Sequence, residues 1–245
     1  MSEAEIQLTI IAPCFNEEGN IAELARRVDS CRDRLPQPLE LVLVDDGSKD
    51  NTWSEIQKAR ERHSFVVPVR HFGNAGLVAG WKSGLAAARG RFVVTIDADL
   101  QYRPEDIALL LAKMNETDAD LVQGAREVEV GRSPLRRVLT AGFSRLLNFL
   151  FGMNLKDNKS GFILYRREAM AGVLATRFRY RFFQHFVTVA AHAKGYRIAQ
   201  TYIIFDPRHS GISYIQRPLR FALRSLRDLP RAFWEFRVLK GGKAD

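Results

Sequence analysis

The chain has 245 residues, enough for roughly one or two domains, and its 46% hydrophobic and 27% charged content excludes a disordered tail, a collagen-like rod and a coiled coil. Lys and Arg total 37 against 28 Asp and Glu, a net charge of +9 that favours anionic partners: nucleotides, nucleic acid or acidic lipid. Only two cysteines and no charged-then-apolar leader predict free thiols in a reducing cytoplasmic setting, and no apolar run approaches the roughly 18 residues that span a bilayer.

In chain order, apolar β-branched runs alternate with segments of helical period. Leu8 to Pro13 predicts a strand, Glu18 to Arg32 a helix, Glu40 to Val44 a strand and Thr52 to Arg62 a helix. Phe65 to Arg70 and Arg91 to Ile96 predict the third and fourth strands around a helix at Ala75 to Ala88. Beyond them come a helix at Pro104 to Met114, a strand at Asp120 to Gly124, a helix at Pro134 to Phe151, and strands at Gly161 to Tyr165 and Ile198 to Phe205 flanking a helix at Phe183 to Lys194. This alternation predicts an α/β fold whose sheet is mostly parallel and flanked by helices. The expected organisation is one domain over residues 1–215 and a basic amphipathic extension over 216–245.

Polar residues gather just past the expected strand ends: Asn16 and Glu17, then Asp45-Asp46-Gly47-Ser48, then Asp97-Ala98-Asp99-Leu100-Gln101. Ligands of open α/β sheets bind along that edge, so the three clusters are expected to form one site. Asp97 and Asp99, two apart at the fourth strand's end, offer hard oxygens suited to Mg2+ or Mn2+, with Gln101 beside them. Capping of turns and helix starts accounts for some of these acids equally well, above all in the stretch from Asp45 to Thr52. No G-x-G-x-x-G follows the first strand, and Gly76 to Ser83 misses the phosphate-loop spacing, which disfavours a dinucleotide dehydrogenase and an ATPase.

Pro13-Cys14-Phe15-Asn16-Glu17-Glu18, Asp45-Asp46-Gly47-Ser48, Asp97-Ala98-Asp99-Leu100-Gln101, Gly124-Ala125-Arg126 and Ser160-Gly161-Phe162 together resemble the family-2 glycosyltransferases of the GT-A fold. The resemblance is strongest to the branch that moves a sugar from a nucleotide sugar to a polyprenyl phosphate, and it covers about residues 6 to 215. It implies that Pro13, Phe15, Glu17 and Asp46, with Asp45 beside them, hold the nucleoside of a UDP- or GDP-linked donor. It also implies that Asp97, Asp99 and Gln101 form the metal and diphosphate site, and that Arg126, Arg137, Arg208 and Ser213 lie near the phosphates of donor and acceptor. Arg103 and Tyr214-Ile215 depart from the family pattern.

The acceptor has a chemical signature of its own. A sugar hydroxyl needs a general base, whereas a phosphate monoester, with a second pKa of about 6, is already largely ionised at neutral pH. From Glu168 to Asp206 the chain has no acid between those two residues, but it does have Arg177, Arg179, Arg181 and His185. That composition suits an anionic nucleophile, with His185 or His192 as base being the alternative.

From Arg217 to Asp245 six Arg and two Lys face three acids, so eight minus three places five of the nine excess charges in 29 residues. There and in Pro134 to Phe151, apolar residues recur at helical spacing beside arginines, the pattern of an in-plane membrane helix, or of stripes packed on the domain or on another subunit of an oligomer. The expected protein is therefore an inverting, metal-dependent glycosyltransferase, peripheral on the inner face of the cell membrane. A transferase of the same fold acting on a saccharide hydroxyl is the second reading. A nucleic-acid-binding module is disfavoured, because the positive charge sits beside apolar stripes without interleaved stacking aromatics.

Overall fold

A computed structural model describes residues 5–129, 134–210 and 226–239, the side chains of 127–129 and 134–137 excepted. In chain order the elements are β1 (Leu8–Cys14), α1 (Ile21–Cys31), β2 (Leu39–Asp45), α2 (Thr52–Arg62), β3 (Val66–Arg70), α3 (Leu77–Ala87) and β4 (Phe92–Thr95). They continue with α4 (Ile107–Thr117), β5 (Leu121–Glu129), α5 (Pro134–Phe151), β6 (Ile163–Arg166), α6 (Arg167–Leu174), α7 (Val187–Ala193) and β7 (Ile198–Phe205). The short helix Leu229–Phe233 and the π-turn Trp234–Val238 follow.

The seven strands form one sheet in the order β3-β2-β1-β4-β6-β5-β7. All neighbours are parallel except those of β6, which runs antiparallel to both β4 and β5. β1 and β2 are buried on both sheet faces. Leu8, Ile10 and Ala12 of β1 and Leu39, Leu41 and Leu43 of β2 join the core under α1, α2 and α4, whereas Ile11, Val42 and Val44 face α3, α6 and α7. This double burial is why the strands read as continuous apolar runs.

Three expectations are corrected in detail. α6 is absent from the sequence-based list, because eight residues carry too little periodicity to register, yet Ala169, Met170, Val173 and Leu174 bury one side of it. The helix expected at Phe183 to Lys194 starts only at Val187, after a 3-10 turn at Phe183–His185. β5 also runs five residues beyond the expected Gly124, since β7 pairs along its length with a register shift between Arg126 and Val128.

The chain winds outward from β1 to β3 and then returns to place β4 on the other side of β1. Loops leaving β1 and β4 therefore diverge, opening a crevice at the carboxyl edge between them. Glu17 and Asp99 sit on those two loops.

Candidate active site at the β1–β4 crevice

β4 ends at Thr95, whose hydroxyl donates to the Gly161 carbonyl at 2.7 Å, and the next six residues turn across the sheet edge. Leu100 sits in the left-handed region (φ 62°), and the turn lets the Gln101 N–H donate to Asp99 Oδ1 at 3.1 Å. Asp99 Oδ2 faces the Arg208 guanidinium at 2.7 Å, and the same guanidinium reaches Glu17 Oε1 at 2.9 Å. Arg208, from after β7, thus bridges carboxylates delivered by β1 and β4. Glu17 is held by Asn20 through a short hydrogen bond and by its own N–H on Thr52 Oγ1 at 2.8 Å.

Three acids in one crevice leave a surplus of negative charge. Burial, then the Asp99 carboxylate, pushes Asp97 up to about 7, against the pull of Arg126 and Arg208. Burial likewise raises Asp99 and Glu17, with Arg208 opposing both. Crowded oxygen donors held above their ordinary range accommodate a hard divalent cation. Asp97 and Asp99 fit that role. Among the described residues no group of three or more Asp, Glu, His or Cys side chains is placed to hold a metal ion.

Gln101 is differently engaged. Its side-chain amide donates to the Asp206 carbonyl at 3.1 Å, while the Arg103 guanidinium grips the Asp206 carboxylate at 2.6 and 2.8 Å. Those two residues lay the 206–210 segment across the site, which is how Arg208 arrives there; Ser210 completes the fixation by donating to Asn20 Oδ1 at 2.8 Å. The departure at Arg103 therefore has a structural use.

The pair after β2 divides its labour. Asp45 is fully buried; Oδ1 accepts the Ser48 N–H at 3.0 Å, Oδ2 has no hydrogen bond among the described residues, and Arg70 Nε stands 3.7 Å away. Asp46 instead turns inward to the chain. Its oxygens accept the Ala75 and Gly76 N–H groups, both at 2.8 Å, and contact His71 Nδ1 at 2.8 Å, whose Nε2 meets Ser83 Oγ at 2.8 Å. Asp46 thereby moulds the loop from His71 to Gly76, and the carboxylate oxygen that accepts no hydrogen bond among the described residues belongs to the buried Asp45. Gly47 (φ +71°) is required between this turn and that loop, since a Cβ there would lie 2.5 Å from the Gly73 carbonyl carbon. Pro13 packs under Gly80 of α3, and Phe15 is 39% exposed at the lip of the crevice.

Arg126 is buried, bound to Asp157 by both Nε and Nη2 at 2.7 and 3.0 Å and lying over the Phe205 ring at 5.4 Å. Burial pushes Asp157 up, but the Arg126 guanidinium outweighs it and holds the carboxyl below the ordinary range. Arg126 acts on Asp97 as a fixed positive charge. Asp157 and Asn20 are missing from the expected site residues; for Asp157 the only hint is the polar run Asp157-Asn158-Lys159-Ser160 before β6. The Arg137 side chain and Ser213 lie outside the described residues. Cys14 and Cys31 are buried free thiols.

An α/β sheet of this order with a carboxylate-lined crevice at the β1–β4 switch defines the GT-A class of nucleotide-sugar transferases. The chain belongs to glycosyl transferase family 2, whose model matches residues 9–174. It is 29% identical over 209 residues to the dodecaprenyl-phosphate galacturonate synthase of Rhizobium johnstonii, covering 85% of this chain and 61% of that protein. It is 36% identical over 180 residues to an undecaprenyl-phosphate 4-deoxy-4-formamido-L-arabinose transferase of Pseudomonas aeruginosa, covering 71% of this chain and 51% of that protein. The chain thus spans about half to three fifths of the length of these two relatives. Among solved structures it resembles glucosyl-3-phosphoglycerate synthase of Mycobacterium tuberculosis, bound to Mn2+, UDP and phosphoglyceric acid, with TM-score 0.71 and 19% identity over 99% of this chain and 81% of that one. A mannosyltransferase of Pyrobaculum calidifontis bound to GDP-Man and Mn2+ gives TM-score 0.63 at 19% identity, covering 99% of this chain and 67% of that one.

Proposed function

We propose that this protein is an inverting glycosyltransferase that moves a sugar from a UDP- or GDP-linked donor to a polyprenyl phosphate. The observation that carries the reading is the crevice itself, where Glu17 and Asp99 meet one arginine that reaches them from beyond β7, within whose field Asp97 also lies. The names of the polyprenyl-phosphate relatives and the nucleotide-bound fold neighbours support it.

Asp45, whose buried Oδ2 accepts no hydrogen bond among the described residues, takes a donor N–H of the nucleobase, and Phe15 and Pro13 wall the nucleoside. Asp97 and Asp99 would hold Mg2+ or Mn2+, which would supply positive charge to the departing diphosphate. Arg208, which pairs with Asp99 and Glu17 here, would be available to the diphosphate oxygens if Asp99 served as a cation ligand, and its guanidinium fork could bind them bidentately. Arg126 stays on Asp157 and contributes a fixed positive field. The acceptor phosphate oxygen forms the new bond at the anomeric carbon from the face opposite the nucleotide, as the bond to the diphosphate breaks.

A base at His185 is poorly supported. Burial, then the charges of Lys159 and Arg126, push His185 down to about 3, too weak to accept a hydroxyl proton at neutral pH. With no acid between Glu168 and Asp206, an already ionised acceptor fits this site better than a saccharide hydroxyl.

The acceptor is delivered at a membrane surface. No helix among the described residues is long and apolar enough to cross a bilayer. The C-terminal segment packs Ala232 and Phe236 inward and exposes Phe233, Trp234, Val238 and Leu239 beside Arg231 and Arg237, which suits in-plane contact with anionic lipid. Oligomerisation through these exposed residues is the competing use of the same surface.

The test compares sugar transfer from UDP- and GDP-sugars to polyprenyl phosphate and to oligosaccharides, with Mg2+, Mn2+ or chelator. Transfer to the lipid phosphate that stops on chelation is expected; transfer to oligosaccharides alone would sink the reading.

A further inference from the structure

Between α6 and α7 the backbone from Ala175 to Phe182 has no regular secondary structure, so its N–H groups must find partners elsewhere. Two buried carboxylates of the C-terminal segment supply them. Glu235, 2% exposed, accepts the Arg177 N–H at 2.7 Å, the Phe178 N–H at 3.2 Å and the Tyr180 O–H at 2.7 Å. One oxygen of Asp228, itself 4% exposed, accepts the N–H groups of Arg181 and Phe182, both at 2.8 Å. Tyr180 stacks on Phe236, and Arg231 donates to the Arg179 carbonyl at 3.3 Å. Five donors from a six-residue stretch are thus fixed by acceptors 46 to 58 residues away.

The distribution of charge gives this clamp a purpose. Both acids of the 226–239 segment turn inward to the loop backbone, while Arg177, Arg179 and Arg181 turn outward and are exposed. Three guanidiniums at alternate positions repel one another, and no acid between Glu168 and Asp206 offsets them along the chain. The carboxylates beneath supply the countercharge from the backbone side, so all three guanidinium forks stay available to an external anion. Ring contacts carry the loop toward the segment that holds Arg126: Phe182 stacks on His185 at 6.1 Å, His185 meets Phe143 at 5.6 Å, and Lys159, two residues past Asp157, lies over the Phe143 ring at 4.7 Å.

We propose that the 177–182 loop binds the phosphate of a lipid substrate or headgroup through Arg177, Arg179 and Arg181, and that Asp228 and Glu235 are the positioning residues that hold it in that form. This rests on the acceptor reading above. The shared chemistry is a lipid-borne phosphate, and its source is separated by assaying polyprenyl phosphate both in uncharged detergent micelles and in vesicles containing phosphatidylglycerol.

The triple variant Arg177→Gln, Arg179→Gln, Arg181→Gln changes exposed side chains only. It is expected to raise KM for polyprenyl phosphate about tenfold or more while kcat and the KM for nucleotide sugar stay within about twofold. Glu235→Ala with Asp228→Ala should reproduce that split, and Glu235→Gln, which keeps an acceptor oxygen, should recover part of it. A KM rise in micelles assigns the loop to the acceptor phosphate; a rise confined to anionic vesicles assigns it to headgroups. An unchanged KM in both media for the triple variant overturns the proposal. If the wild-type protein transfers nothing to polyprenyl phosphate, the acceptor reading itself falls, and this inference with it.

Discussion

Removing the charge at Asp97 is expected to stabilise the metal-free protein even as it disables the site. Burial and the neighbouring Asp99 carboxylate move Asp97 from its ordinary 3.8 to about 7. Because the folded-state value lies above the unfolded one, the native state keeps this proton over a range where the unfolded chain has released it. Stability is therefore greatest below about pH 4 and declines as pH climbs through about 7. At 1.36 kcal/mol per unit the full penalty is about 4 kcal/mol, and the partial solvent access of Asp97 reduces it to about 2–3 kcal/mol. Asp97→Asn cannot ionise and escapes the penalty. Urea denaturation with chelator, at about pH 4.5 and about pH 8, should show the variant gaining on the wild type by about 2–3 kcal/mol between the two conditions. Adding Mn2+ at the higher pH should stabilise the wild type and have little effect on the variant. An equal gap at both pH values, or a variant less stable at the higher one, would show that Asp97 does not carry the crowded charge assigned to it.

Arg208→Gln should lower turnover by about 100-fold or more, since it removes the cation meant for the leaving diphosphate, while circular dichroism stays native. Mn2+ affinity without nucleotide, read by titration calorimetry, should rise because Asp99 no longer carries the guanidinium; near-normal turnover removes Arg208 from the mechanism. Asp157→Asn removes the carboxylate charge that the Arg126 guanidinium grips, the Arg126 side chain being 5% exposed, and should cost about 3–5 kcal/mol in urea denaturation. Gly47→Ala forces both a left-handed backbone and a clash with Gly73, so donor affinity by thermal shift should weaken along with stability; a neutral result would mean the two loops are not in the contact described.

Much of the fold is legible locally. Strands β1, β2 and β4 are buried on both faces, so their apolar runs stand out, and the helices between them show one-sided burial. The reversed direction of β6 is not legible, because a four-residue run reads the same both ways and its pairing with β4 and β5 is settled by distant partners. The acids past β1, β2 and β4 mark the site edge, yet residue type alone does not say which carboxylate keeps an oxygen without a hydrogen bond among the described residues. Asp45 and Asp46 are adjacent and chemically alike, but only Asp46 meets the N–H groups of Ala75 and Gly76. Arg126 and Arg208 look equivalent in sequence; one is locked to Asp157, the other bridges Glu17 and Asp99.

By itself, the order of apolar runs and acidic turns determined that this chain builds a sheet with one reactive edge, because hydrophobic periodicity and turn chemistry act over a few residues. Only the folded chain decided which charges meet, since Coulomb energies and hydrogen bonds depend on separations in space. Arg208 reaches Glu17 across 191 positions of sequence, and Glu235 reaches Arg177 across 58. No local pattern encodes such pairings; the sheet order and the docking of the C-terminal segment do.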